Sequence, residues 1–319
     1  MTTFLLITTG GTIACPDTDK ARAPENNAKI FLESLSGLSE INAEIVMNEP
    51  FCLDSTNMTP RHWLEIAEII RENYAKFDGF IITHGTDTLA YAAAALSCLI
   101  ENSEKPIVLT GSMKPYFAEH SDAPENLRNA VLFAANERAF GVSVVFGKFA
   151  YDGRRVSKIH STARNAFESV NFPPIAAFDE RGITFTEPIS KFSGKTKFNC
   201  EINENVEVVY LIPGMSPPII KSETRAVIIL GFGTGGLPEY LEKFLEELIL
   251  RGIYVIMSTQ VLRGGSKLAL YEVGSRISEK YPVIDAEKMT VEYAAMKAMT
   301  ALALSESFEE FKSRFLNEK

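Results

Sequence analysis

The chain has 319 residues, enough for about two domains with a substantial core, and its 46% hydrophobic and 23% charged residues are those of an ordinary globular protein. A formal net charge of −9 argues against nucleic acid as a partner, because nucleic-acid phosphates repel such a surface. No apolar run approaches the ~18 residues of a membrane span, so no membrane partner is expected. The N-terminus enters a strand directly, without a basic leader region. Cys15, Cys52, Cys98 and Cys200 are scattered and lack CxxC spacing, which fits a reducing, cytoplasmic compartment and no metal site.

In chain order, an apolar run over residues 4–7 ends in Thr8-Thr9-Gly10-Gly11-Thr12. Residues 15–27 are polar and charged with no apolar period, and read as a mobile loop over the first strand's end, a candidate lid. A short helix is expected over 28–38, a strand over 41–47 and a polar loop over 51–58. Thr59 and Pro60 stand as N-cap and first residue of a helix whose Trp63, Ile66, Ala67, Ile70 and Tyr74 share one buried face. A strand ending at Thr83, an almost wholly apolar helix over 89–100 and a strand ending in Thr110-Gly111-Ser112 follow. Asp122 and Glu125 have the spacing of a capping box for a helix running to Asn136, and 142–146 reads as a further strand. Asp152-Gly153 makes a turn before Arg154, Arg155 and Lys158.

Strand–helix alternation of this kind predicts an α/β fold. A larger N-terminal domain over 1–187 carries a mostly parallel sheet flanked by helices. A linker over 188–205 leads to a smaller C-terminal α/β domain over 206–319. In the latter, strands are expected over 206–212, 226–230 and 254–257, with helices over 238–250 and 290–304. Its glycine turn, Gly231 to Gly236, lacks the spacing and the ribose-binding acid of a dinucleotide fingerprint, so no cofactor is expected.

The stretch Phe80-Ile81-Ile82-Thr83-His84-Gly85-Thr86-Asp87-Thr88 concentrates the chemistry. A buried strand stops, glycine turns the chain, and hydroxyl and carboxylate side chains follow before the next helix. Ligands of open α/β sheets bind at such carboxyl ends. Thr86 and Asp87 are also ordinary helix caps, and on this stretch alone the two readings stand level. Recurrence separates them. Thr9-Gly10-Gly11-Thr12 and Thr110-Gly111-Ser112 repeat the pattern, so three strands deliver a small hydroxyl residue beside glycine to one edge. Capping needs no such repetition, whereas a shared site does.

Thr9-Gly10-Gly11-Thr12-Ile13-Ala14 and Thr83-His84-Gly85-Thr86-Asp87-Thr88 resemble the two signature segments of the bacterial-type L-asparaginase/glutaminase family. Asp54-Ser55-Thr56-Asn57-Met58, Leu109-Thr110-Gly111-Ser112-Met113 and Asp152-Gly153-Arg154-Arg155-Val156-Ser157-Lys158 are similar to further family segments in the same order. Met289-Thr290-Val291-Glu292 resembles the cytoplasmic, type I branch. The resemblance implies an amidohydrolase that converts asparagine to aspartate and ammonia, with Thr12 as nucleophile. Thr86, Lys158 and Asp87 would handle protons, and Asp87 would also hold the substrate's α-amino group. Ser55, with backbone groups around it and Gly85, would hold the α-carboxylate, and Ser112 would offer its backbone carbonyl near the leaving amide. Gly11 and Asp54 complete the expected substrate-binding set.

The chemistry also stands by itself. A threonine hydroxyl is a poor nucleophile until a base takes its proton. No histidine is taken as that base, which leaves Lys158. Beside Asp87 it is read as staying charged, orienting Thr86 and relaying protons. Two departures from the family pattern stand out: residues 15–31 contain no tyrosine where relatives carry one on the lid, and Gly236 stands where they have asparagine. Tyr271 and Glu272 are candidates to reach the site from a neighbouring subunit, since the family forms homodimers and homotetramers. The expected ligand is L-asparagine, with L-glutamine second. A tRNA-amidotransferase subunit and a non-catalytic amino-acid-binding protein are the other readings.

Overall fold

The computed structural model describes residues 2–15, 43–186 and 194–317. The candidate lid beyond Cys15 and the helix expected over 28–38 lie outside the described residues. Two compact units divide the chain, Met1–Cys200 and Glu201–Lys319.

In the first unit, β1 (Thr2–Thr8) and β2 (Ala43–Asn48) precede helix α1 (Pro60–Asn73). Trp63, Ile66, Ala67 and Ile70 form its buried face, as their spacing dictates, and the Thr59 backbone N–H donates to His62 Nδ1 at 3.0 Å. β3 (Gly79–Thr83) leads through the second glycine motif into α2 (Leu89–Leu99), nearly every side chain of which is buried. β4 (Pro106–Thr110), α3 (Ala123–Ala134) and β5 (Gly141–Phe146) follow. Shorter strands complete the unit: β6 (Phe149–Asp152), β7 (Val156–Lys158), β8 (Phe167–Ser169), β9 (Ala176–Asp179) and β10 (Gly182–Phe185).

Eight strands make one sheet in the order β10-β9-β6-β5-β4-β3-β1-β2. The pairs from β2 to β5 are parallel, and antiparallel β6, β9 and β10 extend the other edge. Thr8 pairs with Thr83 and Thr83 with Thr110, so all three glycine motifs leave the sheet at one level. Phe4, Leu6, Ile81 and Val108 face Leu127, Val131 and Phe133 of α3 in one core. The continuous apolar runs of these strands reflect burial on both faces, usual for parallel sheets.

β7 and β8 form a separate antiparallel pair in which Lys158 lies opposite Phe167. Lys197–Phe198, within the stretch expected to be a linker, pairs antiparallel with Ile100–Glu101.

The second unit holds a parallel sheet of β11 (Val206–Tyr210), β12 (Ala226–Gly231), β13 (Tyr254–Thr259) and β14 (Val283–Asp285), in that order. Its helices are α4 (Glu242–Leu250), α5 (Glu272–Lys280), α6 (Val291–Ala303) and α7 (Phe308–Leu316). The helix expected from residue 238 starts instead as a 3-10 turn, Glu239–Leu241, before α4.

Candidate active site

The first motif leaves β1 through two glycines of positive φ, Gly10 at 96° and Gly11 at 77°. Thr12 then opens a short 3-10 turn, Thr12–Ala14. The path is held by Gly11 N–H to the Leu53 carbonyl at 2.9 Å and by the Thr9 hydroxyl to the Thr83 carbonyl, also 2.9 Å. A β-carbon on Gly11 would stand 2.3 Å from the Gly85 Cα, and one on Gly85 would stand 2.6 Å from the Ser55 Cβ. A side chain at either place would collide, so the Thr12 and Thr86 loops meet through bare backbone and the Ser55 side chain packs directly on Gly85.

Two bonds join the Ser55 loop to the second motif. Asp87 N–H donates to Ser55 Oγ at 3.2 Å, and the Thr88 hydroxyl donates to the Ser55 carbonyl at 2.8 Å. Ser55 itself is buried in the 3-10 turn Ser55–Asn57. Asp54 caps that turn, its Oδ1 accepting from Thr56 N–H and Oγ1, each at 2.9 Å.

Lys158 arrives from the β7 end. Its Nζ donates to Thr86 Oγ1 at 2.9 Å and to Asp87 Oδ1 at 2.7 Å, with side-chain exposures of 17% for the lysine and 55% for the aspartate. One ammonium therefore grips a hydroxyl and a carboxylate that are adjacent in sequence, 71 positions away.

Gly111 carries the third motif against the second, since a β-carbon there would lie 2.3 Å from the His84 carbonyl oxygen. Ser112 follows, buried, its hydroxyl donating to the Lys114 carbonyl.

The structure thus links Gly11, Ser55, Gly85, Thr86, Asp87 and Lys158 by a chain of contacts; Thr12 follows Gly11 directly, and Ser112 follows Gly111, which packs on the His84 carbonyl next to Gly85. Among the described residues, no group of three His, Cys, Asp or Glu side chains could hold a metal, and no helix is long and apolar enough to cross a membrane.

Family models match both units: "Asparaginase, N-terminal" over residues 3–191 and "Glutaminase/Asparaginase C-terminal domain" over 205–315. The chain belongs to the asparaginase family. It is 39% identical to an L-asparaginase of Thermococcus kodakarensis over 97% of this chain and 95% of that one. A solved structure of the thermostable L-asparaginase from Thermococcus kodakarensis superposes with a TM-score of 0.91 at 37% identity, covering 99% of this chain and 97% of that chain. L-asparaginase 1 of Escherichia coli K12 is 36% identical over 77% of this chain and 74% of its own. A glutamyl-tRNA(Gln) amidotransferase component from Pyrococcus furiosus is 32% identical over 98% of this chain and 75% of its own. The protein is an enzyme, an asparaginase acting on amide C–N bonds.

Several residues of this asparaginase escape a sequence reading. Asp122 does not cap α3 with its side chain. Its carboxylate accepts instead from Met113 N–H at 2.9 Å, Lys114 N–H at 3.0 Å and Asn126 Nδ2 at 3.2 Å. The histidine of the second motif, not a candidate base by sequence, is wholly buried. His84 Nδ1 lies 2.7 Å from the Gly85 carbonyl, and Nε2 has no partner among the described residues. Burial pushes its pKa down to about 4, opposed by the Gly85 bond, so the ring is neutral at neutral pH. Tyr271 and Glu272 lie in the C-terminal unit, Tyr271 largely exposed as the N-cap of α5 and Glu272 as its first residue.

Proposed function

We propose that this asparaginase hydrolyses the side-chain amide of L-asparagine to L-aspartate and ammonia through a covalent acyl intermediate on Thr12. The observation that carries the reading is the Lys158 ammonium bonded to both Thr86 and Asp87 beside the Gly11–Gly85 contact.

In the first step the Thr12 Oγ attacks the amide carbon. Its proton passes through Thr86 and the Lys158–Asp87 pair to the leaving nitrogen, the C–N bond breaks, and ammonia departs from a threonyl ester. In the second step water attacks the ester carbon, its proton returns to the Thr12 oxygen by the same relay, and aspartate leaves. Lys158 acts as an ammonium donor that orients Thr86, which fits its short bond to the Asp87 carboxylate. In this reading Asp87, whose side chain is partly exposed, receives the substrate's α-ammonium, and Ser55 with nearby backbone N–H groups receives its α-carboxylate.

Ammonia release from L-asparagine by purified protein tests the reading, with Thr12→Ala and Lys158→Met as controls. Each substitution should lower kcat by at least about 10³-fold, the scale on which catalytic groups acting as a unit fail. Full turnover by Thr12→Ala would refute the threonine nucleophile. The same assay with L-glutamine measures selectivity, which one methylene changes only modestly. An amidotransferase-type role is the second reading, favoured by the match to the Pyrococcus furiosus protein. Efficient turnover of free asparagine without any partner protein decides against it.

A further inference from the structure

Asp122 is a carboxylate only 5% exposed, with three N–H donors, and it sits at the start of α3, ten residues beyond Ser112. Two of the donors are the successive backbone N–H groups of Met113 and Lys114. The third, Asn126 Nδ2, also donates to the Gly111 carbonyl at 2.9 Å, while Asn126 Oδ1 accepts from Gly147 N–H at 2.8 Å. Asn126 is itself 1% exposed. Asp122 and Asn126 therefore grasp the segment 111–114 on both sides of Ser112, and Asn126 ties it to the loop after β5. Gly111 also packs closely on the His84 carbonyl, so the segment is held by both α3 and the second motif.

A buried carboxylate that spends its acceptor capacity on a loop, when it stands at a helix N-terminus it could cap, is placed for the loop. We propose that Asp122, supported by Asn126, is a positioning residue that aims the Ser112 backbone carbonyl at the leaving nitrogen of the substrate amide. The inference rests on the asparagine reading above and adds to it the group that sets the leaving-amide contact. Asp122 touches no reacting atom and acts through the Met113 and Lys114 amides. In Asp122→Asn, an amide NH2 replaces one acceptor oxygen and faces donors, so the grip opens with little change in volume.

The test compares wild type and Asp122→Asn on two substrates, L-asparagine and the β-methyl ester of L-aspartate. The ester's leaving oxygen offers no N–H to a carbonyl, so it does not need Ser112. The variant should lose about 30-fold in kcat/KM for asparagine, with KM within about threefold, and stay within about threefold of wild type on the ester. Asn126→Ala should show the same selectivity to a lesser degree. Hydrogen exchange at Met113 and Lys114 reads the grip directly, and should quicken in Asp122→Asn while the β-sheet core stays protected. Equal losses on both substrates, no loss on either, or unchanged exchange would overturn the inference. A wild-type protein inert toward both substrates overturns the asparagine reading itself, and this inference with it, before any variant is compared.

Discussion

At the scale of single residues, His84 links burial to pH. Its pKa falls from an ordinary 6.5 to about 4 on folding, so the unfolded chain binds a proton between these values that the native protein does not. Stability contributed by this group is complete above about pH 6.5 and is lost as pH falls toward 4. The span corresponds to about 3 kcal/mol. Urea unfolding at pH 7 and pH 4 should show wild type losing about that much more than His84→Gln, and equal losses would disprove the assignment. The site candidates Thr12, Thr86 and Ser112 stand out in the sequence because a hydroxyl after glycine at the end of an apolar run occurs three times. Asp122 is not, since an acid three residues before Glu125 spells a capping box equally well whichever way its carboxylate turns. The approach of Met113 and Lys114 decides the direction, and that approach is tertiary.

At the scale of elements, caps and periods serve best where they act together. Thr290 stands at the start of a helix by sequence, and its hydroxyl accepts from Tyr293 N–H at 3.1 Å ahead of α6. Thr290 is 5% exposed, so water does not replace the bond when it is lost. Thr290→Ala should cost about 1 kcal/mol in denaturant unfolding, and Thr290→Ser should recover most of it. Indistinguishable midpoints for wild type and the alanine variant would show that the cap contributes nothing. The central strands are equally readable, since β1, β3 and β4 are apolar on both faces. The antiparallel strands β9 and β10 and the two-residue pairing of Lys197–Phe198 are not. These depend on a partner strand rather than on a pattern of their own, and strand preference is largely a matter of such partners.

Across the whole molecule, the scattered cysteines form no disulfide: Cys15 and Cys98 are buried, Cys200 is intermediate and Cys52 is exposed. Burial also raises the Cys200 thiol to about 11, with the Glu68 hydrogen bond adding to it, which leaves little of the reactive thiolate. A maleimide should therefore label Cys52 first in the native protein, and Cys15 and Cys98 only after unfolding. Rapid labelling of Cys15 would contradict its packing. The pairing of Thr8 with Thr83, and of Thr83 with Thr110, carries a further consequence for how the chain is made. At about 5–20 residues per second, roughly 4 to 15 s pass on the ribosome between synthesis of Thr8 and of Thr83. Within that interval β2 is the one native neighbour of β1 to be synthesised, and the edge that β3 will cover lacks its native partner. The Thr12 loop is thus the first part of the site to be synthesised, and it must wait for the second and third motifs before it can be seated.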